Sequence, residues 1–447
     1  MGEETGLKIL FILPEYYPHS GGGIATYYQH YLAALQSYCA EIKVIVGSGH
    51  VQSQDQFEHD GISVEYLNPT IYAQYVAQFS RFDLLPDYRN NLAAAWAMWQ
   101  QANYGEGFDI IECTDFGLGF VPWVINHTKP VITRLHGSSA QIALHENADA
   151  RGLLSHLYSQ TELSLLPLCD SLITHSPANQ CFWQQLLPQS LINYALPVYH
   201  RGQHNAVPYR QRDNKGLVTA RIQKWKGPEI LCAAVPLLKA SVEIQWIGRD
   251  MPYDNHTSTA EYLSDQFPQV WGKAITPDEP KPNTEIQYIQ QRAKFGLIPS
   301  VWDMFNFTCI EFMAAGTPVI CADGAGASVL IEHGKNGLTY AANDAQALAD
   351  CIDTLTNLNE NDYQQMAQAG MDTIDNELSP DKLIPVYLQY YTDAIDNFKP
   401  SAANVYLTEN YSPSGAVSLQ ADVLDKLPLR SLTRYLYRRV TAKISSR

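Results

Sequence analysis

The stretch SVWDMFNFTCIEFMAAGTPVI, residues 300–320, decides how the second half of this chain folds. Immediately before it, KFGLIPS (294–300) has the length and apolar content of a buried strand. Within it, residues 308–315 read as a helix, because Gly316 suits a C-terminal cap and Pro318 blocks continuation. TPVICAD (317–323) is then the next strand. Strand, helix and strand in this order build a parallel sheet. Asp303, in the strand-to-helix loop, and Glu311, on the helix, straddle the turn where open α/β sheets bind ligands.

The same alternation fills most of the 447 residues. KILFIL, EIKVIVG, FDIIEC, PVITRLH and SLITHS predict the strands of one sheet. GLVTA, SVEIQWIG, KFGLIPS and TPVICAD predict those of another, with EILCAAVPLLKA as a helix between them. YHRGQHNAVPYRQRDNKG (199–216) is polar and turn-rich and reads as a linker. Two α/β domains are expected, over residues 1–205 and 206–383, with a helix over 384–399 packing back across both and an extension over 400–447.

The extension ends in a basic amphipathic pattern. Arg430, Arg434 and Arg438 recur every four residues, while Leu429, Leu432, Leu436 and Val440 form an apolar stripe. Such a helix over residues 425–447 either lies on an anionic membrane surface or docks on an acidic protein.

Composition narrows the function. Acidic groups outnumber basic ones by 46 to 30, a net charge of -16, so binding to nucleic acid through general phosphate attraction is disfavoured. Any anionic ligand has to be met locally. The eight cysteines are scattered, with no C-x-x-C and no Cys/His cluster at metal spacing, and read as reduced core thiols. KILFIL is too short to span a bilayer and runs into PEYYPHSGGG rather than a cleavage site. A cytoplasmic protein is expected, peripheral at the inner membrane face if the terminal helix binds lipid.

Two further segments bear on anion binding. Gly21, Gly22 and Gly23 precede a helix with apolar positions Ile24, Tyr27, Tyr28, Tyr31, Leu32 and Leu35. Glycines there let the backbone approach a ligand, and free helix amides favour a phosphate; the alternative is a tight turn. The dinucleotide fingerprint is broken, because its third glycine would fall on Thr26, which counts against a dehydrogenase or epimerase. In ARIQKWKGPE, Arg221 and Lys226 sit in a loop after a strand, where two fixed cations neutralise a diphosphate without a metal; Lys224 competes with Lys226 for that role.

Together these residues resemble retaining glycosyltransferases of the GT-B fold, family 4 type. Asp303 and Glu311 match the E-x7-E pair of that family, within PS…D-x7-E-x-MAAGTPVI, and EHGKNGLTY (332–340) continues the likeness. It is strongest over 216–340 and collinear but weaker over 7–200. The resemblance implies two Rossmann-like, doubly wound domains facing across a cleft that holds a nucleotide-sugar donor, with UDP the commonest base in the family. It further implies that Arg221 and Lys226 hold the diphosphate and that the loop at Gly22 and Gly23 closes over it. Glu311 would accept from the ribose hydroxyls, while Asp303 and the backbone of Met304, Phe305 and Asn306 would contact the sugar. His136, in TRLHGSS, matches the histidine beside the transferred sugar. No metal or other cofactor is expected, and no D-x-D motif occurs.

The chain departs from that pattern twice: Asp303 stands where the family has Glu, and Asn306 where it has Gly, although Asn tolerates a left-handed backbone best among the other residues. A sugar-nucleotide or glycan-binding protein that has lost turnover is therefore the alternative to an enzyme. The acceptor, a saccharide, lipid-linked or small molecule, is expected on the first domain. Tyr72, Tyr75 and Trp99 offer an aromatic platform for it there, or else serve core packing.

Overall fold

The computed structural model describes residues 6–18, 22–146, 152–202, 206–254, 256–414 and 426–445. The strands of the first half are β1 (Lys8–Leu13), β2 (Glu41–Val46), β3 (Gln56–His59), β4 (Ile62–Tyr66), β5 (Ile110–Thr114), β6 (Asn126–His127), β7 (Val131–Arg134), β8 (Ser171–Thr174) and β9 (Ile192–Tyr194). Eight of them form one sheet in the order β3-β4-β2-β1-β5-β7-β8-β9. All pairs in it are parallel except β3 with β4. The second half contributes β10 (Lys215–Thr219), β11 (Glu243–Ile247), β12 (Ile275–Asp278), β13 (Phe295–Ile298), β14 (Val319–Ala322) and β15 (Leu338–Tyr340), ordered β12-β11-β10-β13-β14-β15 and parallel throughout.

Both sheets are wound in two directions from a central strand, as expected. Strand order therefore reverses between β1 and β5 in the first and between β10 and β13 in the second. A crevice opens at the carboxyl ends of the strands at each such point. Every residue of β5, β7 and β13 is buried, because helices cover both faces.

The expected return helix forms over Pro380–Asp396, starting four residues before the expected 384 because Pro380 occupies its first turn. It is fastened to the first domain by hydroxyls: Tyr387 donates to the Leu196 carbonyl (2.7 Å), Tyr390 to that of Tyr194 (3.0 Å), and Tyr391 bonds to Tyr31 (2.7 Å). The start of the extension also belongs to the first domain. Strand β16 (Ser401–Ala402) pairs antiparallel with β6, and Trp96 donates its indole N–H to the carbonyl of Tyr411, at the end of the helix Val405–Tyr411.

The helix Leu429–Ser445 forms as the periodicity predicts. Its apolar stripe is not packed away: Leu429, Leu436 and Val440 are 80%, 59% and 56% exposed.

Candidate active site

The loop after β10 is shaped by Gly227. Its φ is +76°, and a Cβ there would collide with the carbonyl of Pro299 at the end of β13. That close approach brings the turn Lys224–Lys226 against the loop that carries Asp303. Lys226, rather than Lys224, reaches it: Nζ lies 2.5 Å from Oδ2 of Asp303. The Trp225 ring carries both expected cations, with Lys226 Nζ 4.2 Å and Arg221 Cζ 5.7 Å from its centre. Burial lowers the pKa of Lys226, Asp303 opposes that shift, and Arg221 adds to it. Arg221 is exposed.

Asn306 explains one departure from the family pattern. It adopts φ +85° at the N-cap of the helix Phe307–Ala314, the conformation for which glycine is usual. Its amide then does what glycine cannot: Oδ1 accepts from the Cys309 N–H (3.1 Å), and Nδ2 donates to Asp303 Oδ2 (2.7 Å). Met304 and Phe305 are buried. Glu311 is half-buried on the same helix and accepts from Gln290 (2.9 Å). Gln290 also reaches Thr219 at the end of β10 (3.1 Å). Burial raises the pKa of Glu311, and the Gln290 bond opposes the rise.

On the facing domain His136 follows β7. Its main-chain N–H and that of Gly137 donate to the carboxylate of Asp115 (2.9 and 3.2 Å), fixing the loop. The His136 ring packs against Tyr27 and Tyr28, and its Nε2 is buried with no partner among the described residues. Burial holds His136 neutral, reinforced by His175 and Arg134. His175, after β8, was not singled out by sequence reasoning. It is fully buried, its Nδ1 bonds to the Ala195 carbonyl (3.0 Å), its Nε2 is equally unpartnered among the described residues, and its pKa falls to about 3. Its signal was position alone, a histidine at a strand end like His136.

The two halves meet around these groups. His145 stacks on Trp302 with ring centres 4.2 Å apart, and Glu146 accepts from Gln223 and from the Trp225 indole (3.0 Å). A Cβ on Gly326 would collide with Ser176, so glycine permits close approach there.

For two expectations the packing favours the alternative reading. Gly21 lies outside the described residues, and the helix Gly23–Leu35 is met from within: Glu15 accepts from the N–H of Ala25 (3.2 Å) and sits against Gly22. A carboxylate thus occupies the helix start read as a phosphate seat, while Gly23 faces open space. Tyr75 is buried, and Trp99 packs between Trp96 and Tyr104 (5.2 and 4.5 Å), so both serve packing. Tyr72 is half-buried with its hydroxyl on the Gly49 carbonyl (3.3 Å). Tyr75 belongs to one core cluster, and Tyr72 and Trp99 pack against it.

The architecture is GT-B. It is similar to sucrose-phosphate synthase from Thermosynechococcus elongatus, with TM-score 0.65 and 16% identity over 88% of this chain and 100% of that one. It is also similar to Anabaena Alr3699/HepE in complex with UDP and glucose, with TM-score 0.62 and 16% identity over 86% and 99%. Residues 213–357, the part holding Arg221, Lys226, Asp303 and Glu311, match the family described as Glycosyl transferases group 1. Curated relatives include the D-inositol 3-phosphate glycosyltransferases of Corynebacterium glutamicum (25% identical; 35% of this chain, 37% of that protein) and Corynebacterium urealyticum (28%; 33% and 35%). The chain thus spans about a third of the length of the curated relatives it matches.

Proposed function

We propose that this protein is a retaining glycosyltransferase that moves a hexosyl group from a nucleotide sugar, with UDP the favoured base, to a saccharide, lipid-linked or small-molecule acceptor. The observation that carries this is the convergence of Arg221 and Lys226 on Trp225, beside Asp303, at the switch point of the second sheet. The GT-B neighbour described with UDP and glucose supports the donor class.

Departure of the diphosphate places negative charge on its oxygens and positive charge on the anomeric carbon. The first is the larger demand, and fixed donors in a water-excluded site each contribute a few kcal/mol, about 3 being typical. Arg221 and Lys226 supply that charge without a metal. Glu311 accepts the ribose hydroxyls, as an acceptor-only group suits. Asp303 and the backbone at Met304 to Asn306 hold the sugar, and neutral His136 bonds to it from the opposite domain. In same-face transfer the departing phosphate oxygen takes the acceptor's proton, so no protein nucleophile is assigned.

The test is calorimetry with UDP-, GDP- and ADP-sugars, followed by turnover of whichever binds. Arg221→Ala and Glu311→Ala should each abolish transfer, and wild-type rates in both would refute the reading. Binding with no hydrolysis or transfer on any acceptor would make the protein a sugar-nucleotide binder of the same fold.

The exposed helix Leu429–Ser445 fits a place at an anionic membrane surface. Residues 426–447 carry seven basic side chains and no acidic one, opposite an unpacked apolar stripe. Liposome sedimentation with and without residues 425–447 tests this, and equal binding refutes it. No helix among the described residues is long and apolar enough to cross a membrane.

A further inference from the structure

We infer that Glu146, on the first domain, is a positioning residue for the diphosphate cations of the second: it orients the Trp225 indole on which Arg221 and Lys226 rest. Donor affinity then depends on a side chain of the facing domain. The inference rests on the glycosyltransferase reading above and adds how the donor seat is held.

Glu146 follows directly on the helix Ser139–His145, and both ends of that helix are fixed. At its start the Ser138 hydroxyl accepts from the Gln141 N–H (3.1 Å) and donates to the buried Glu162 (2.7 Å). At its end His145 stacks on Trp302 of the second domain, with ring planes 4° apart. Glu146 therefore reaches that domain along a set direction. One of its oxygens, Oε1, accepts both from the side-chain amide of Gln223 and from the Trp225 indole N–H (3.0 Å). Those two residues frame the turn Lys224–Lys226, Gln223 preceding it and Trp225 standing at its middle.

The chemistry of the ring makes this contact matter. The face of an indole is electron-rich and its edge is not, so a cation is attracted only while the face is turned to it. Lys226 Nζ and Arg221 Cζ stand 4.2 and 5.7 Å from the centre of the Trp225 ring. The Trp225 main chain is held within its own domain, its carbonyl accepting from the Val301 N–H (2.9 Å). The ring is held from across the cleft. Trp225 is buried, and its N–H, a donor that needs a partner out of water, finds one in Glu146. Trp302 borders the same ring (5.4 Å) and is itself stacked on His145, so one helix end braces the indole twice. Removing the Glu146 carboxylate frees the ring to turn while the main chain of the loop stays in place. An edge turned toward Lys226 or Arg221 displaces the cations from the places where a diphosphate needs them. A contact that only joined the two halves would change stability and leave donor affinity alone.

The experiment uses the full-length protein and calorimetry with UDP, GDP and ADP, following whichever the wild type binds tightest. Glu146→Ala should raise that Kd about tenfold, as the loss of a hydrogen bond to a charged group implies. Glu146→Gln, which keeps an acceptor oxygen for both donors, should stay within about threefold of wild type. Glu146→Met, of similar length and without an acceptor, should follow alanine and serves where alanine disturbs folding. With Trp225→Phe, which keeps an aromatic face and has no N–H, adding Glu146→Ala should change the Kd by less than about twofold. An unchanged Kd in Glu146→Ala and Glu146→Met overturns the inference, whatever happens to Tm. A loss in Glu146→Gln as large as in alanine, or an equal effect that persists with Trp225→Phe, does the same. Wild-type protein that binds none of the three nucleotides defeats the glycosyltransferase reading instead.

Discussion

Lys226 Nζ lies 2.5 Å from Asp303 Oδ2, and the same oxygen accepts from Asn306 at 2.7 Å. Lys226 is thus held against Asp303, with Asn306 fixing that carboxylate in place. On the proposed function, a bound diphosphate would compete with Asp303 for this ammonium. Asp303 stands where the pattern it resembles has Glu, and Asn306, at the position of that pattern's Gly, supplies a bond to the same carboxylate oxygen.

Asp303→Asn separates these roles. Removing the competing charge leaves Lys226 available to phosphate, so UDP should bind several-fold tighter by calorimetry. Transfer should nonetheless fall, because the sugar loses its charged acceptor. Weaker UDP binding in the variant would show that Asp303 supports the diphosphate rather than competing with it.

Glu311 tests the other end of the donor. Hydrogen bonds to a charged acceptor contribute about 1.5–3 kcal/mol, so Glu311→Gln should raise the donor KM by roughly 10–100-fold. A nucleotide-free sugar acceptor should keep its KM. An unchanged donor KM would remove Glu311 from the ribose.

Glu162 gives a prediction in pH. Burial raises its pKa from 4.5 to about 8, against the bonds from Ser138 (2.7 Å) and the Ala140 N–H (3.2 Å), and burial raises neighbouring Asp115 from 3.8 to about 7. Between each pair of values the folded chain holds a proton that the unfolded chain has released. Stability from these groups is therefore fully present below pH 4 and is lost as pH rises through 7 and 8. Scanning calorimetry should show Tm falling from pH 5 to 8.5, with a shallower fall in Glu162→Gln, worth roughly 1–3 kcal/mol at the upper end. Parallel slopes would remove Glu162 as a cause.

Much of this arrangement was legible in the sequence because it depends on local spacing. The run from 294 to 320 fixed a strand, a loop acid, a helix acid and a glycine stop, and all four are present. The β3–β4 hairpin was missed although Asp60-Gly61, at φ +50° and +77°, is a good two-residue turn signal. Residues 400–414 were missed for another reason. A two-residue strand and a seven-residue helix are too short to show a period, and their partners lie hundreds of residues away. The contact of Glu15 with the helix start at Gly23 was not legible, because it depends on the fold of the intervening loop.

One long-range feature is a fully buried ion pair. Arg134 donates twice to Glu112 (2.7 and 2.9 Å), both side chains being fully buried. Tyr28 (2.7 Å) and Tyr391 also donate to Glu112, and the guanidinium lies 4.7–4.9 Å from the ring centres of Tyr27, Tyr31 and Tyr387. Since Tyr387 and Tyr391 come from the return helix, this cluster joins that helix to the first domain beneath His136. Glu112→Gln leaves Arg134 buried without a counter-charge and should cost about 3–5 kcal/mol. Replacing both partners, Glu112→Leu with Arg134→Met, removes both buried charges and should recover part of that loss, though the Tyr28 and Tyr391 hydroxyls lose their acceptor. Denaturant titration of the two variants checks the order. A double variant less stable than Glu112→Gln would mean that the aromatic cage around Arg134, rather than the charge pairing, holds the helix in place.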